Sequence, residues 1–143
     1  MKYFLKTSFL VATLCLVLPS AAISDILSAK ETEAIQAAKH FLQLVDQGEY
    51  GQSWEEASSL FVSRISKKEW VKTISSARPS FGQIINRSVT SSKFMTSAPG
   101  VPDGEYVMIL FSSSFEYKKS AFETVTAMLD KDGSWRVAGY FIK

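Results

Sequence analysis

The chain has 143 residues, 16 basic against 14 acidic side chains, one histidine and one cysteine. The basic excess rests on Lys2 and Lys6. Without them the count is 14 against 14, and Lys67-Lys68 and Lys118-Lys119 are the only adjacent basic pairs, so the electrostatic footprint of a nucleic-acid binder is missing.

In chain order, the first feature is an export signal. Lys2 and Lys6 form a positive n-region, Phe9 to Leu18 an apolar h-region, and PSAAIS offers small residues for processing after Ala22 or Ser24. The apolar run is far short of the roughly 20 residues a membrane-spanning helix needs. Cys15 lies inside it behind Thr13 and Leu14, too bulky for lipoprotein processing. We therefore expect residues 1–24 to be removed and 25–143 to work as one domain in the periplasm or outside the cell. Cys15 is the only cysteine, so the processed chain has no disulfide, thiolate catalyst or zinc–thiolate site. One domain of this length buries roughly two-thirds of its unfolded surface.

Helical spacing comes next. Ile35, Ala38, Leu42 and Val45 share a face, Glu33, Gln36, Lys39 and Gln43 lie off it, and Gly48 reads as a C-cap. Tyr50, Trp54, Ala57 and Phe61 predict a second helix over 50–61. A third starts at Ser66, whose spacing to Glu69 is a capping box. It buries Trp70, Ile74 and Ala77 and stops before Pro79.

Beyond Pro79 the apolar pattern alternates. Four strands are predicted over 83–94, 105–117, 122–129 and 135–142, with APGVPDG a loop and Ser112 to Ser114 marking a bend or bulge. Asp132-Gly133 predicts a type I′ hairpin turn. A hairpin pivoting there places Glu123, Val125, Ala127 and Leu129 on one face with Arg136, Ala138, Tyr140 and Ile142. In the last strand Trp135, Val137 and Phe141 read as core, and Gly139 as a bend or close contact. Helices followed by an antiparallel meander give the α+β class, with the helices on one face of a four-stranded sheet.

Several stretches together resemble a family of small exported bacterial proteins, the domain-of-unknown-function family 4019. They are Asp46, Gly48, Tyr50, Ser53 and Trp54 in DQGEYGQSW, then Trp70, then Arg78, Gly82 and Arg87 across RPSFGQIINR. PDGEY, Glu123-Thr124-Val125 and DGSWRVAGY follow. The resemblance implies a nuclear-transport-factor-2-like or cystatin-like cone, with helices in the concave side of a curved sheet and often a pocket. It implies no activity.

Candidates for chemistry are few. His40 falls nearly opposite the apolar face of its helix, which removes the base of a serine triad. Asp46 ends a helix, Asp25 stands near the processing points, and Asp103, Asp130 and Asp132 sit in turns, where aspartates bond their own backbone. DKDG fails as a calcium loop, because Met128 and Gly139 would occupy its first and twelfth positions. Asn86-Arg87-Ser88 is a formal glycosylation sequon, read as chance. Glu123 stands out as a carboxylate well inside a strand. It requires a cation, and Arg78, Arg87 and Arg136 are the choices. Such a pair either closes the core or anchors a ligand, and the candidate site is Arg78, Arg87, Glu123, Arg136, Tyr140 and Trp54. Trp54, Trp70, Trp135, Phe61, Phe81, Phe111 and Tyr140 form plain core or line a cavity.

The reading is a non-enzymatic exported module, without cofactor or metal, that binds a small ligand or an envelope protein. The alternatives are a pocket enzyme of isomerase or hydrolase type with Glu123 as base, and a protein–protein module that uses the outer sheet face to form a dimer or hold another protein.

Overall fold

The computed structural model describes residues 20–143. Its elements are α1 (Ser20–Asp46), α2 (Tyr50–Glu55), α3 (Ser59–Arg64), α4 (Lys67–Ala77), a 3-10 turn (Arg78–Phe81), β1 (Ile84–Met95), β2 (Tyr106–Phe115), β3 (Ala121–Leu129) and β4 (Trp135–Ile142). The n-region and h-region of the anticipated signal fall outside the described residues, and α1 runs through both anticipated processing points.

Ala34, Ala38, Phe41, Leu42 and Val45 bury one face of α1, and Ile35 lies at its margin. The helix ends at Gly48, whose φ of 79° few other residues tolerate. Its N–H donates to the Val45 carbonyl, and the Glu49 N–H donates to that of Leu44. This is the Schellman closure, and it satisfies two carbonyls the helix would otherwise leave open.

The helix expected over 50–61 is two short ones. Ser58 interrupts it with an extended backbone, its hydroxyl accepting from the Phe61 N–H to start α3. Its own N–H donates to the Val137 carbonyl at 2.9 Å, so a strand takes the donor that a continuous helix would have used. In α4 the Ser66–Glu69 capping box is complete. Ala77, read as core, is exposed, and Arg78 takes the buried place one turn after Ile74. The helix stops before Pro79, as expected, and the chain tightens into the 3-10 turn, at whose start a missing N–H costs nothing.

The strands form a curved antiparallel sheet in the order β1-β2-β3-β4, so the class is α+β. α1 crosses all four strands. Val107, Ile109, Phe111, Val125 and Ala127 join its buried residues in one core from the sheet side. Ser112 to Ser114 carry no bulge. The irregularities lie opposite, at Ile85 and Thr90 of the edge strand β1. An edge strand can gain a residue while breaking only one ladder.

Two expectations for the last hairpin are corrected. Gly133 is at φ 80°, but among the described residues no non-glycine has positive φ, so the turn is not type I′. The Gly133 N–H donates to the Asp130 carbonyl and the Asp130 N–H to that of Ser134. This is a type I turn followed by a left-handed glycine. Moreover, Thr126 faces Gly139 while Ala127 faces Val137, which leaves Ala138 as an extra residue. The bulge reverses the parity of β4. Trp135, Val137, Tyr140 and Ile142 therefore share the face of Glu123, and Arg136 and Phe141 point outward opposite Met128 and Thr124. Phe141, expected in the core, is 61% exposed. Gly139 has no close contact, since a methyl group there would meet Thr126 at an ordinary 3.8 Å.

Candidate functional site

A ladder of charged groups lies between the end of α1 and the inner face of the sheet. Asp46 is one turn beyond Leu42, on the buried side of α1. A carboxylate at a helix C-terminus meets the negative end of the helix dipole, and two arginines answer it. Arg78 Nη2 donates to Asp46 Oδ1 at 2.8 Å, and Arg87 donates through Nη1 to Oδ2 at 2.6 Å and through Nη2 to Oδ1 at 3.1 Å. Arg78 also donates to the Gly82 carbonyl at 2.7 Å, and its guanidinium lies 4.3 Å from the centre of the Phe115 ring. Its Nε is buried without a hydrogen-bond partner.

Arg87 reaches from β1 across β2 to Glu123 on β3. Glu123 is 0% exposed. Its Oε2 accepts from Arg87 Nε at 2.6 Å and from the Ser113 hydroxyl at 2.6 Å, and its Oε1 accepts from Arg87 Nη2 at 3.2 Å and from the Tyr140 hydroxyl at 2.7 Å. A carboxylate has about four lone-pair sites, and here each has a donor. Ser113 and Tyr140 reach it as diagonal neighbours on the adjacent strands, one from each side. With two arginines against two carboxylates the ladder is neutral.

Within the ladder the surroundings shift the pKa of Arg87 and Tyr140. Burial acts to lower the Arg87 pKa, but its hydrogen bonds to Asp46 and Glu123, with the charge of both carboxylates, outweigh it and raise the value. Arg87 is a permanent cation. Burial, followed by the charge of Glu123 and its hydrogen bond, pushes the Tyr140 phenol well above its ordinary range, so Tyr140 is a neutral donor. Its ring packs edge-on against Phe41 and Trp70.

Of the candidate residues, Arg87, Glu123 and Tyr140 thus meet directly, and Arg78 joins through Asp46. Arg136 and Trp54 stand apart. Arg136 grips Asp132 with both terminal nitrogens at 2.8 and 2.7 Å across its own hairpin. That grip, followed by the Ser134 N–H, holds the Asp132 carboxyl well below the usual carboxylate range. The reversed parity of β4 is what sent Arg136 outward. Trp54 ties α2 to the end of α3, its indole donating to the Ile65 carbonyl at 2.8 Å. Trp70 donates to Ser53 and to the Tyr50 carbonyl, and Phe61 packs against it with ring centres 5.1 Å apart. These aromatics are core.

The sequence reading missed Asp46 and Ser113. Both had a signal, because Leu42 to Asp46 is one helical turn on the apolar face, and Ser113 alternates in phase with Phe111 and Phe115. A cleft of about 230 Å³ beside the ladder is lined by Lys39, Gln43, Asp46, Arg87 and Phe111. Another of about 300 Å³ lies on its far side, against Asp46, Arg78, Gly82 and Tyr117. Glu123 lines neither of them. His40, largely exposed, meets Glu56 at 2.5 Å. Hydrogen bonds from Gln52 and then His40 lower the Glu56 pKa. Among the described residues no three His, Cys, Asp or Glu side chains converge as a metal site would require, and no helix is long and apolar enough to cross a membrane.

No curated protein matches the chain. Residues 37–140, a span that holds the whole ladder, match the family described as protein of unknown function (DUF4019), and the chain belongs to that family.

Proposed function

We propose that this protein is a non-catalytic binding module of a bacterial envelope, exported through residues 1–24 and built on a nuclear-transport-factor-2-like or cystatin-like cone. The ladder is its structural keystone. One observation carries the non-catalytic part: all lone-pair sites of Glu123 already hold donors and the side chain has no exposed surface. A general base must reach a substrate proton within hydrogen-bond distance, and Glu123 has nothing free to reach with. The order of elements, helices first and a four-stranded antiparallel sheet after, supports the cone. Lys2, Lys6 and the apolar run from Phe9 to Leu18 support export.

Binding then belongs to the clefts and surfaces around the ladder, with a small ligand or an envelope protein as the occupant. Native mass spectrometry of the chain recovered from the periplasm tests the reading. The expected spectrum shows a chain beginning at residue 23 or 25 with a small molecule or a partner retained. A chain still carrying residues 1–24, or a bare monomer throughout, would overturn it.

A further inference from the structure

The outer face of the sheet is roofed at one end. There the loop 96–104 folds across it, and hydrogen bonds tie the loop down. The Gly104 N–H donates to the Thr96 carbonyl at 3.0 Å, and the Tyr106 hydroxyl donates to that of Pro102 at 2.7 Å. Arg64 reaches from α3 to the Gly100 carbonyl. Tyr106 is buried beneath the loop, and beside it lies a pocket of about 220 Å³. Its floor is one row of the sheet, because Thr126 pairs with Met108 on one side and with Gly139 on the other. Ala98 and Val101 line it from the loop, Leu60 from α3 and Met95 from β1. Met108 is 41% exposed, so the pocket is open to solvent on that side.

The lining selects what can enter. Gly139 contributes no side chain, and a Cβ added there would meet nothing nearer than Thr126 at 3.8 Å. The Thr126 hydroxyl has no partner among the described residues, whereas the Tyr106 phenol is engaged by Pro102. No charged side chain lines the pocket. A charged ligand would therefore lose its hydration with no counter-charge beside it, and a sugar or peptide would leave most of its polar groups unpaired. The volume exceeds the roughly 150 Å³ of an apolar cavity that takes benzene, and the thioethers of Met95 and Met108 favour an aromatic ring.

We propose that this pocket binds an uncharged monocyclic aromatic molecule with one hydroxyl, a simple phenol. The ring lies over Gly139 against Met108, and its hydroxyl exchanges a hydrogen bond with Thr126. The ties of the loop hold the roof in place before the ligand arrives, so binding orders little of the chain. The inference goes beyond the proposed function. The pocket is on the opposite face of the sheet from the ladder and its clefts, and either reading can fail alone.

Titration of the isotope-labelled chain, as recovered from the exporting cell, with p-cresol tests it through backbone-amide NMR shifts. The amides of Thr126 and Gly139 shift and saturate, while those of Arg87 and Glu123 stay in place. Benzoate, similar in size but charged, binds more weakly by about ten-fold or more, and hexanol, neutral but without a ring, also binds more weakly. Thr126→Val weakens p-cresol about five-fold, the loss of one neutral hydrogen bond. Gly139→Val grows a side chain into the pocket and abolishes the saturable shift, and both variants melt close to the parent. The proposal is overturned if p-cresol moves neither amide, if benzoate or hexanol binds as tightly, or if Thr126→Val or a folded Gly139→Val binds as the parent does. Shifts of the same amides that grow with protein concentration and no ligand would also overturn it, by giving the pocket to a second copy.

Discussion

Replacing Arg87 with Met keeps an unbranched apolar stem and deletes the only cation that, among the described residues, contacts Glu123. Arg87 is 14% exposed and makes four charge-assisted hydrogen bonds, two to each carboxylate. The two carboxylates are left in different positions. Asp46 keeps Arg78 at 2.8 Å, so the orphaned charge is that of Glu123, which retains only the neutral donors Ser113 and Tyr140. Breaking a buried pair from one side costs about 3–5 kcal/mol. Because half the ladder survives, we place R87M near 3 kcal/mol, a large share of the 5–15 kcal/mol that holds a typical domain together. For a domain of this size that lowers the melting temperature by roughly 10 °C. Urea and thermal unfolding followed by the fluorescence of Trp54, Trp70 and Trp135 would measure it. Because E123Q removes the stranded charge, R87M/E123Q should be no less stable than R87M, giving a coupling of order 1–3 kcal/mol. A loss below about 1 kcal/mol in R87M, or strict additivity in the double variant, would refute the claim that the ladder holds the helix to the sheet. Arg136→Met, at the exposed hairpin, should leave the midpoint where it is.

Other perturbations follow from the same geometry. The folded phenol of Tyr140 has a raised pKa, so its contribution is complete below the unfolded tyrosine value of about 10 and is lost as the pH climbs beyond it. Urea midpoints between pH 8 and 11.5 should fall at the alkaline end, and Tyr140→Phe should remove part of that slope; an unchanged slope would show that Tyr140 ionises freely. Gly82 has φ 76° and ψ −160°, and an added Cβ would sit 2.8 Å from both Glu116 Cβ and Tyr117 Cδ2. Gly82→Ala should therefore cost on the order of 2–3 kcal/mol, while Gly139→Ala, with an ordinary contact at 3.8 Å, should unfold at nearly the parent midpoint. Equal midpoints for the two variants would contradict this.

Short-range physics was legible in the amino-acid sequence. The Gly48 terminus, the Ser66–Glu69 box and the four strands each depend on neighbours a few residues away, and alternation or capping chemistry announces them. The sequence also determined that Glu123 needs a cation and offered three. What it could not determine was which arginine arrives. Arg87 and Glu123 are 36 positions apart, and they meet because two intervening strand pairings fix their rows, while one extra residue at Ala138 turns Arg136 to the other face. A bulge costs little locally and leaves almost no trace in composition, yet it reverses every side chain between itself and the turn. Asp46 shows the same limit from the helix side. Its position on the apolar face was readable, but only the packing of α1 across the sheet brought two guanidinium groups to it and made a helix-end aspartate the centre of the fold's polar core.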